Sequence, residues 1–348
     1  MLRKFGKSSD FLFEYQPHLL DGIDIHCAQA EIFEKSYRAS PIRSNCVVCE
    51  TQLGRRDFSR NSIDFILCRV CGHVNGNHEL SDELADSTYD SQATESMKYD
   101  KLYIMSKEKY SKAVSTIYVP KADFIKESLA DLPNVLDLNI LDFGTGSGHM
   151  VQALRDVGFG SVKGIDPMQT TVDFGKEVMR VSGLSKVPIR DSIKFLEQTT
   201  SELITMICTL PHVASQNEVM FAMSQNPSIR YTFQKLPMFS LGAMLDVTSP
   251  NTNSRVLAGA HNHLYTDRSL EFMEKKYGLK RISEWRFGSD ILDLYRNILI
   301  KLTRAESSME FKSYFSDSFL SMLDELQLVV DANKFASEIH VLWEFSGK

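Results

Sequence analysis

Leu141-Asp142-Phe143-Gly144-Thr145-Gly146-Ser147-Gly148 is the segment from which the architecture is read. Ahead of the glycines, Asn139–Phe143 is a short apolar run of the kind that forms a buried strand. Behind them, Met150–Val157 has the spacing of a helix. Alternating glycines let the backbone bend sharply and leave no Cβ in the way of a ligand. The first turn of the helix offers unpaired N–H groups to an anionic or carboxylate-bearing molecule.

The pattern repeats downstream. Ser161–Ile165, Lys186–Ile189, Leu203–Thr209 and Arg230–Leu236 read as strands, with helices over Thr170–Met179 and Ser192–Gln198 between them. Alternation of this length predicts an α/β fold, a parallel sheet with helices on both faces. Leu270–Tyr277 reads as a helix stopped by Gly278. Upstream, Tyr103, Tyr110, Val114, Ile117, Phe124, Ile125 and Leu129 have helical spacing, with Pro120 separating two helices. Residues 304–348 read as two helices and a closing strand near Ile339–Phe345.

The dinucleotide fingerprint G-x-G-x-x-G needs its third glycine at position 149, which is His149 here. Asp142 also precedes the turn. A carboxylate there sits poorly beside a pyrophosphate and suits a ligand with an ammonium group. The second strand ends at Gly164-Ile165-Asp166-Pro167, where an acid can accept from both hydroxyls of a ribose.

D-x-G-x-G-x-G followed by an acid after the second strand resembles the class I S-adenosylmethionine-dependent methyltransferases, over roughly residues 135–300. The resemblance implies a Rossmann-like sheet and S-adenosyl-L-methionine as cofactor. It implies that Gly144, Thr145, Gly146 and Gly148 shape the pocket, with Asp142 near the methionine end. Asp166 and Pro167 would lie at the ribose, Asp191 and Ser192 at the adenine, and Thr209 on the far wall. Cys208-Thr209-Leu210-Pro211-His212-Val213 matches the family's segment after its fourth strand, with Pro211 where a Glu is common.

Cys46-x2-Cys49 and Cys68-x2-Cys71 stand 18 residues apart. Paired knuckles at that separation can place four thiolates tetrahedrally on one Zn2+, with Gly72 suited to the turn. Four cysteines leave no open position, so the expected role is structural. The expected domains are an N-terminal arm (1–40), a small zinc-binding module (41–80), a linker with helices lining the cleft (81–134), the cofactor-binding domain (135–303) and a C-terminal helical extension (304–348). A four-cysteine module ahead of such a domain resembles the sugar C-methyltransferases acting on nucleotide-linked sugars. It resembles, more loosely, a bacterial ribosomal RNA guanine methyltransferase. The sugar enzymes carry a His-Glu-His signature; this chain has His261-Asn262-His263-Leu264-Tyr265.

Methyl transfer needs an aligned acceptor and a base for its proton. His212, His261 and His263 fall after strands whose ends face the ligand crevice, and are the candidate bases. Tyr89, Tyr99 and Tyr103 could reach over the cleft, and Trp285, Phe287, Asp290 and Arg296 could form an acceptor surface. No acid cluster predicts a catalytic magnesium. A net charge of −6 gives no global field for a phosphate backbone. The small balance of Arg43, Arg55, Arg56, Arg60 and Arg69 over Glu50, Asp57 and Asp64 is too slight to predict RNA binding. No apolar run would span a bilayer and the N-terminus has no secretory pattern, so the cytoplasm is expected. The expected activity is O- or C-methylation of a small molecule, a sugar or nucleotide-sugar. The rivals are an RNA methyltransferase docking through its zinc module and a non-catalytic scaffold.

Overall fold

The computed structural model describes residues 1–10, 31, 34–80, 106–249, 256–257 and 261–347. Tyr89, Tyr99, Tyr103 and the acidic linker before residue 106 lie outside the described residues.

In chain order, β1 (Leu2–Phe5) is followed by β2 (Phe58–Arg60), β3 (Ile63–Leu67) and β4 (Val74–Gly76). Helix α1 (Lys107–Ala113) passes through a wide π turn (Val114–Tyr118) into α2 (Val119–Ser128). The path stays helical past Pro120, contrary to the expected break. Pro120 lies in the first turn of α2, where its missing N–H is tolerated, and the Val119 N–H reaches Val114 O across the widened turn. Then come β5 (Asn139–Phe143), α3 (His149–Asp156), β6 (Ser161–Asp166), α4 (Gln169–Asp173), β7 (Leu184–Lys186), α5 (Ile189–Gln198) and β8 (Leu203–Ile207). The third strand starts earlier than expected, because Pro188 caps α5 and Ile189 already belongs to that helix. The chain continues through α6 (Gln216–Gln225), β9 (Tyr231–Pro237), α7 (Leu241–Thr248), β10 (His263–Leu264), α8 (Asp267–Tyr277), β11 (Leu279–Phe287), α9 (Asp290–Arg304), α10 (Met309–Leu320), α11 (Leu323–Ala332) and β12 (Glu338–Phe345).

Among the described residues, eight strands form one sheet in the order β1-β11-β12-β9-β8-β5-β6-β7. Parallel pairing runs from β7 through β9, and β12 enters antiparallel between β9 and β11. The closing strand is thus part of the sheet, and residues 338–345 are no extension of it. Strand alternation divides the core. Leu141, Phe143, Val341 and Trp343 face α5, α6 and α8, while Ile140, Phe233 and Leu342 face α2 and α3. The fold is α/β and Rossmann-like, with helices on both faces.

β1 lengthens the sheet by pairing parallel with β11, and Trp285 Nε1 donates to Gly6 O at 2.9 Å. Trp285 and Phe287 are therefore core residues, not an acceptor surface. Asp290 is equally structural. Its Oδ1 accepts from Gly242 N at 2.8 Å and its Oδ2 from Ser337 N at 2.9 Å, joining α7 to the approach to β12. Arg296 pairs within α9 with Asp293 at 3.6 Å.

β2, β3 and β4 form a second sheet completed by β10, a strand of the larger domain, through His263↔Asn75 and Leu264↔Val74. Glu34, beyond the described gap in the N-terminal arm, pairs with Arg60 at 2.8 Å in a buried contact. No helix among the described residues is long and apolar enough to cross a membrane.

His149 opens α3 and stacks between Tyr110 and Tyr118, at 4.1 and 5.1 Å between ring centres. Burial lowers its pKa to about 4. Because that value lies below the unfolded one, the stability it supports is present above pH ~6.5 and lost as pH falls toward 4. Asp142 acts with opposite sign, since burial raises its pKa to about 6. His149→Phe separates the two. Between pH 7.5 and 5 the variant should lose about 2 kcal/mol less stability than wild type, read from urea midpoints. Equal losses in both proteins would refute the neutral buried imidazole.

Candidate functional site

The strand order reverses between β5 and β8, and a crevice opens at their C-terminal ends. The glycine turn forms one wall. Gly144 has φ +78° and a Cβ there would overlap the Thr209 side chain, so the close approach of the two strand ends requires glycine. Gly148, at φ +82°, is the N-cap of α3 and packs on Val181 and Leu184. It shapes the turn from behind without lining the cleft. Across the crevice, Cys208 takes a left-handed backbone, φ +59°, as the chain leaves β8. That conformation is rare for a residue with a side chain and is concentrated at functional sites.

The cleft has a volume of about 270 Å³. Gly144, Thr145, Gly146, Asp166, Pro167, Ser192, Thr209 and His212 all line it. Asp166 is buried, and burial raises its pKa. Its Oδ2 accepts from Gly146 N at 2.8 Å and its Oδ1 from Met168 N at 2.9 Å. The carboxylate thus locks the glycine turn onto the end of β6 while facing the cleft.

Besides Gly148, two expected residues lie off the cleft. Asp142 is buried beneath the turn, where its Oδ1 accepts from Thr205 Oγ1 at 2.7 Å and ties β5 to β8. It does not border the cleft. Asp191 points outward beside Arg190 at 3.8 Å, its side chain more than half exposed. The early start of α5 rotates it away from the cleft, and Ile189 and Ser192 take the wall instead.

The three histidines separate as well. His212 ends a short 3-10 turn, Leu210–His212, lines the cleft, and stacks on His261 at 5.3 Å. His263 is 3% exposed in β10. Its Nδ1 shares a hydrogen bond with His73 Nε2 at 2.9 Å and its Nε2 with Pro211 O at 3.1 Å. Burial lowers its pKa to about 3. With both nitrogens engaged inside the module–domain junction, it does not face the cleft as a base. The reason is local: β10 turns alternate side chains in and out, and position 263 points toward β4 and His73.

Sequence reasoning passed over His149, Tyr118 and Cys208, which also line the cleft. The signal for the first two was present. Tyr110 and Tyr118 are eight residues apart, on one face of a helix, and His149 occupies the position where a dinucleotide fold has glycine.

The four module cysteines converge. Cys46 and Cys71 sulfurs lie 3.5 Å apart and Cys49 and Cys68 sulfurs 3.4 Å, with all four within 4.8 Å of one another. Sulfurs on a tetrahedral ion with ~2.3 Å bonds are separated by about 3.8 Å, so the donors fit such an ion. Each knuckle closes alike. Glu50 N donates to Cys46 O at 2.9 Å and Gly72 N to Cys68 O at 2.8 Å, and both donors are left-handed, at φ +62° and +75°. The knuckles bear on the larger domain. Thr266 Oγ1, the N-cap of α8, donates to Gly72 O at 2.9 Å, and Lys276 Nζ to Val48 O at 3.0 Å.

Residues 119–284 match the model of a methyltransferase domain family. No curated protein matches the chain. Among solved structures, it is similar to magnesium protoporphyrin IX methyltransferase from Synechocystis with bound SAH, at 12% identity over 71% of this chain and 93% of that one, TM-score 0.40. A SAM-dependent methyltransferase from Archaeoglobus fulgidus is 12% identical over 71% of this chain and 100% of its own, TM-score 0.40. Geranyl diphosphate C-methyltransferase from Streptomyces coelicolor is 14% identical over 70% and 87%, TM-score 0.38. The family match falls on the strands and turn that build the cleft, and it takes in a little under half of the chain.

Proposed function

We propose that the cleft between β5 and β8 holds S-adenosylmethionine and that its methyl group passes to an oxygen or carbon of a small molecule, a sugar or nucleotide-sugar. The observation that carries this reading is His212 in the wall of the cleft that the glycine turn also lines, with His261 stacked on its ring. Bound there, S-adenosylmethionine would supply an activated methyl group that passes in line to the acceptor atom and would leave as a neutral thioether, and His212 would take the acceptor's proton. Asp166 supplies the carboxylate for the ribose, beside Pro167. Ser192 stands at the adenine side, and Gly144, Thr145, Gly146 and Thr209 bound the sulfur end. The sugar acceptor is supported by the likeness of the four-cysteine layout to nucleotide-sugar enzymes. The net charge of −6 favours a small acceptor over a nucleic acid.

In this reading Cys46, Cys49, Cys68 and Cys71 hold a structural Zn2+, supported by the convergence of their sulfurs. The metal stiffens a segment whose own sheet is short and borrows its fourth strand from the larger domain.

Incubation with methyl-labelled S-adenosylmethionine and fractionated cell extract tests the acceptor. Label should enter nuclease-resistant small molecules; label lost to nuclease would replace the sugar reading with an RNA one. His212→Ala should lower kcat by about 100-fold or more with little change in S-adenosylhomocysteine affinity. Full kcat would remove His212 from the mechanism. Asp166→Ala should weaken S-adenosylhomocysteine binding by roughly 10- to 100-fold in calorimetry, and unchanged affinity would refute the pocket. Cys68→Ser should lose bound zinc by elemental analysis and unfold at lower temperature. Wild-type metal content and Tm would refute the structural metal.

A further inference from the structure

His149 lines the cofactor cleft, and proton transfer at His212 makes no use of it. It is the first residue of α3, directly after the glycine turn, and it is 6% exposed. Tyr110 and Tyr118 hold the ring by its faces, and Tyr110 is itself fixed by its hydroxyl, which donates to Ser147 O at 3.1 Å. The stack sets the plane of the ring and leaves its edge for bonding. Yet Nε2 is buried and has no hydrogen-bond partner among the described residues. A buried polar atom left unpaired is costly, and in a binding cleft it marks a place for a ligand group.

A second observation falls at the same place. The N-cap of α3 is Gly148, which has no side chain, and no side-chain hydrogen bond caps the helix. The N–H groups of the first turn of this eight-residue helix are thus left for water or a ligand, at the positive end of its dipole. Such an end favours an anion. Burial keeps the imidazole neutral at pH 7, so it contributes an N–H and no charge of its own.

The shape of the cleft says which anion arrives there. Ile189 and Ser192 line it from α5, on the sheet face where Leu196 packs, while Tyr118 and His149 line it on the opposite face, where Met150 and Leu154 pack. Asp166, at the end of β6, stands in the sheet between the two layers. A cofactor with its adenine beside Ser192 and its ribose at Asp166 has its amino-acid arm left to place, and the α3 side of the cleft is open to it. Asp142 is buried under the turn and does not border the cleft.

We propose that His149 and the first turn of α3 receive the carboxylate of the cofactor's amino-acid arm, with His149 donating from Nε2, and that His149 thereby selects ligands that keep this carboxylate. The proposal rests on the S-adenosylmethionine reading of the cleft. A nucleoside thioether without the arm leaves the nitrogen unpaired and gains nothing from it.

The test is calorimetry on the full metal-loaded chain with three ligands: S-adenosylhomocysteine, its decarboxylated amine, and methylthioadenosine, which lacks the whole arm. Wild type should bind S-adenosylhomocysteine about 10- to 100-fold more tightly than the decarboxylated amine. His149→Phe keeps a ring between the tyrosines. It should weaken S-adenosylhomocysteine by about 10-fold or more and leave the other two ligands within about 2-fold. Retained methylthioadenosine binding shows that the variant's cleft is folded. In wild type, the Nε2 resonance of His149 should move on adding S-adenosylhomocysteine and stay in place with the decarboxylated amine, which tests the contact without a substitution. Equal wild-type affinity for S-adenosylhomocysteine and the amine, a loss in His149→Phe shared equally by all three ligands, or an Nε2 resonance indifferent to the carboxylate would overturn the role of His149 and leave the cofactor cleft standing. A wild type that binds none of the three overturns both.

Discussion

The bond from Thr205 Oγ1 to Asp142 is the contact on which the architecture turns. It lies in the interior, at the one place where consecutive parallel strands part to opposite sides. A carboxyl group with no access to water needs its partner, and the partner fixes how far β5 and β8 can slide past each other. That register sets Gly144 against Thr209, and their contact sets the width of the cleft. The sequence pattern invited Asp142 to touch a ligand. Its chemistry is spent instead on holding the walls apart at the distance a ligand needs.

Much of this was legible from periodicity alone. The strand before the glycines, the acid closing β6 and the paired cysteines are local patterns, governed by residues near one another in the chain. What escaped reading depends on partners far away. Pro120 looked like a helix break because a π turn cannot be foreseen from propensity. Asp191 was placed by its distance from a strand whose end was misjudged by three residues, and on a helix three residues are most of a turn. His261 and His263 were indistinguishable as letters. Only the pairing of β10 with β4 shows that one stacks on His212 beside the cleft and its neighbour-but-one is buried against His73.

That pairing also makes the cysteine module inseparable from the larger domain. Tyr265, the residue after β10, donates to Pro237 O and accepts from Phe239 N at the end of β9, so the segment cannot be drawn away without leaving unpaired N–H and C=O groups on both sides. The path from the knuckle at Gly72 to the cleft is short. It runs from His73 through His263 to the Pro211 carbonyl, one residue before His212. Order in the module is therefore felt next to His212, in the wall of the cleft.

The position of β12 has a consequence for how the protein is made. Its residues are numbered 338–345, yet it lies between β9 and β11. Until that stretch leaves the ribosome, the sheet exists as two fragments, each with a bare inner edge. Such edges pair readily with the wrong chain. The join also closes contacts of long sequence separation, which is slow. A nascent chain stalled or truncated before residue 345 would carry the whole glycine turn and all four cysteines and still present an open seam, which makes it a natural client for a chaperone.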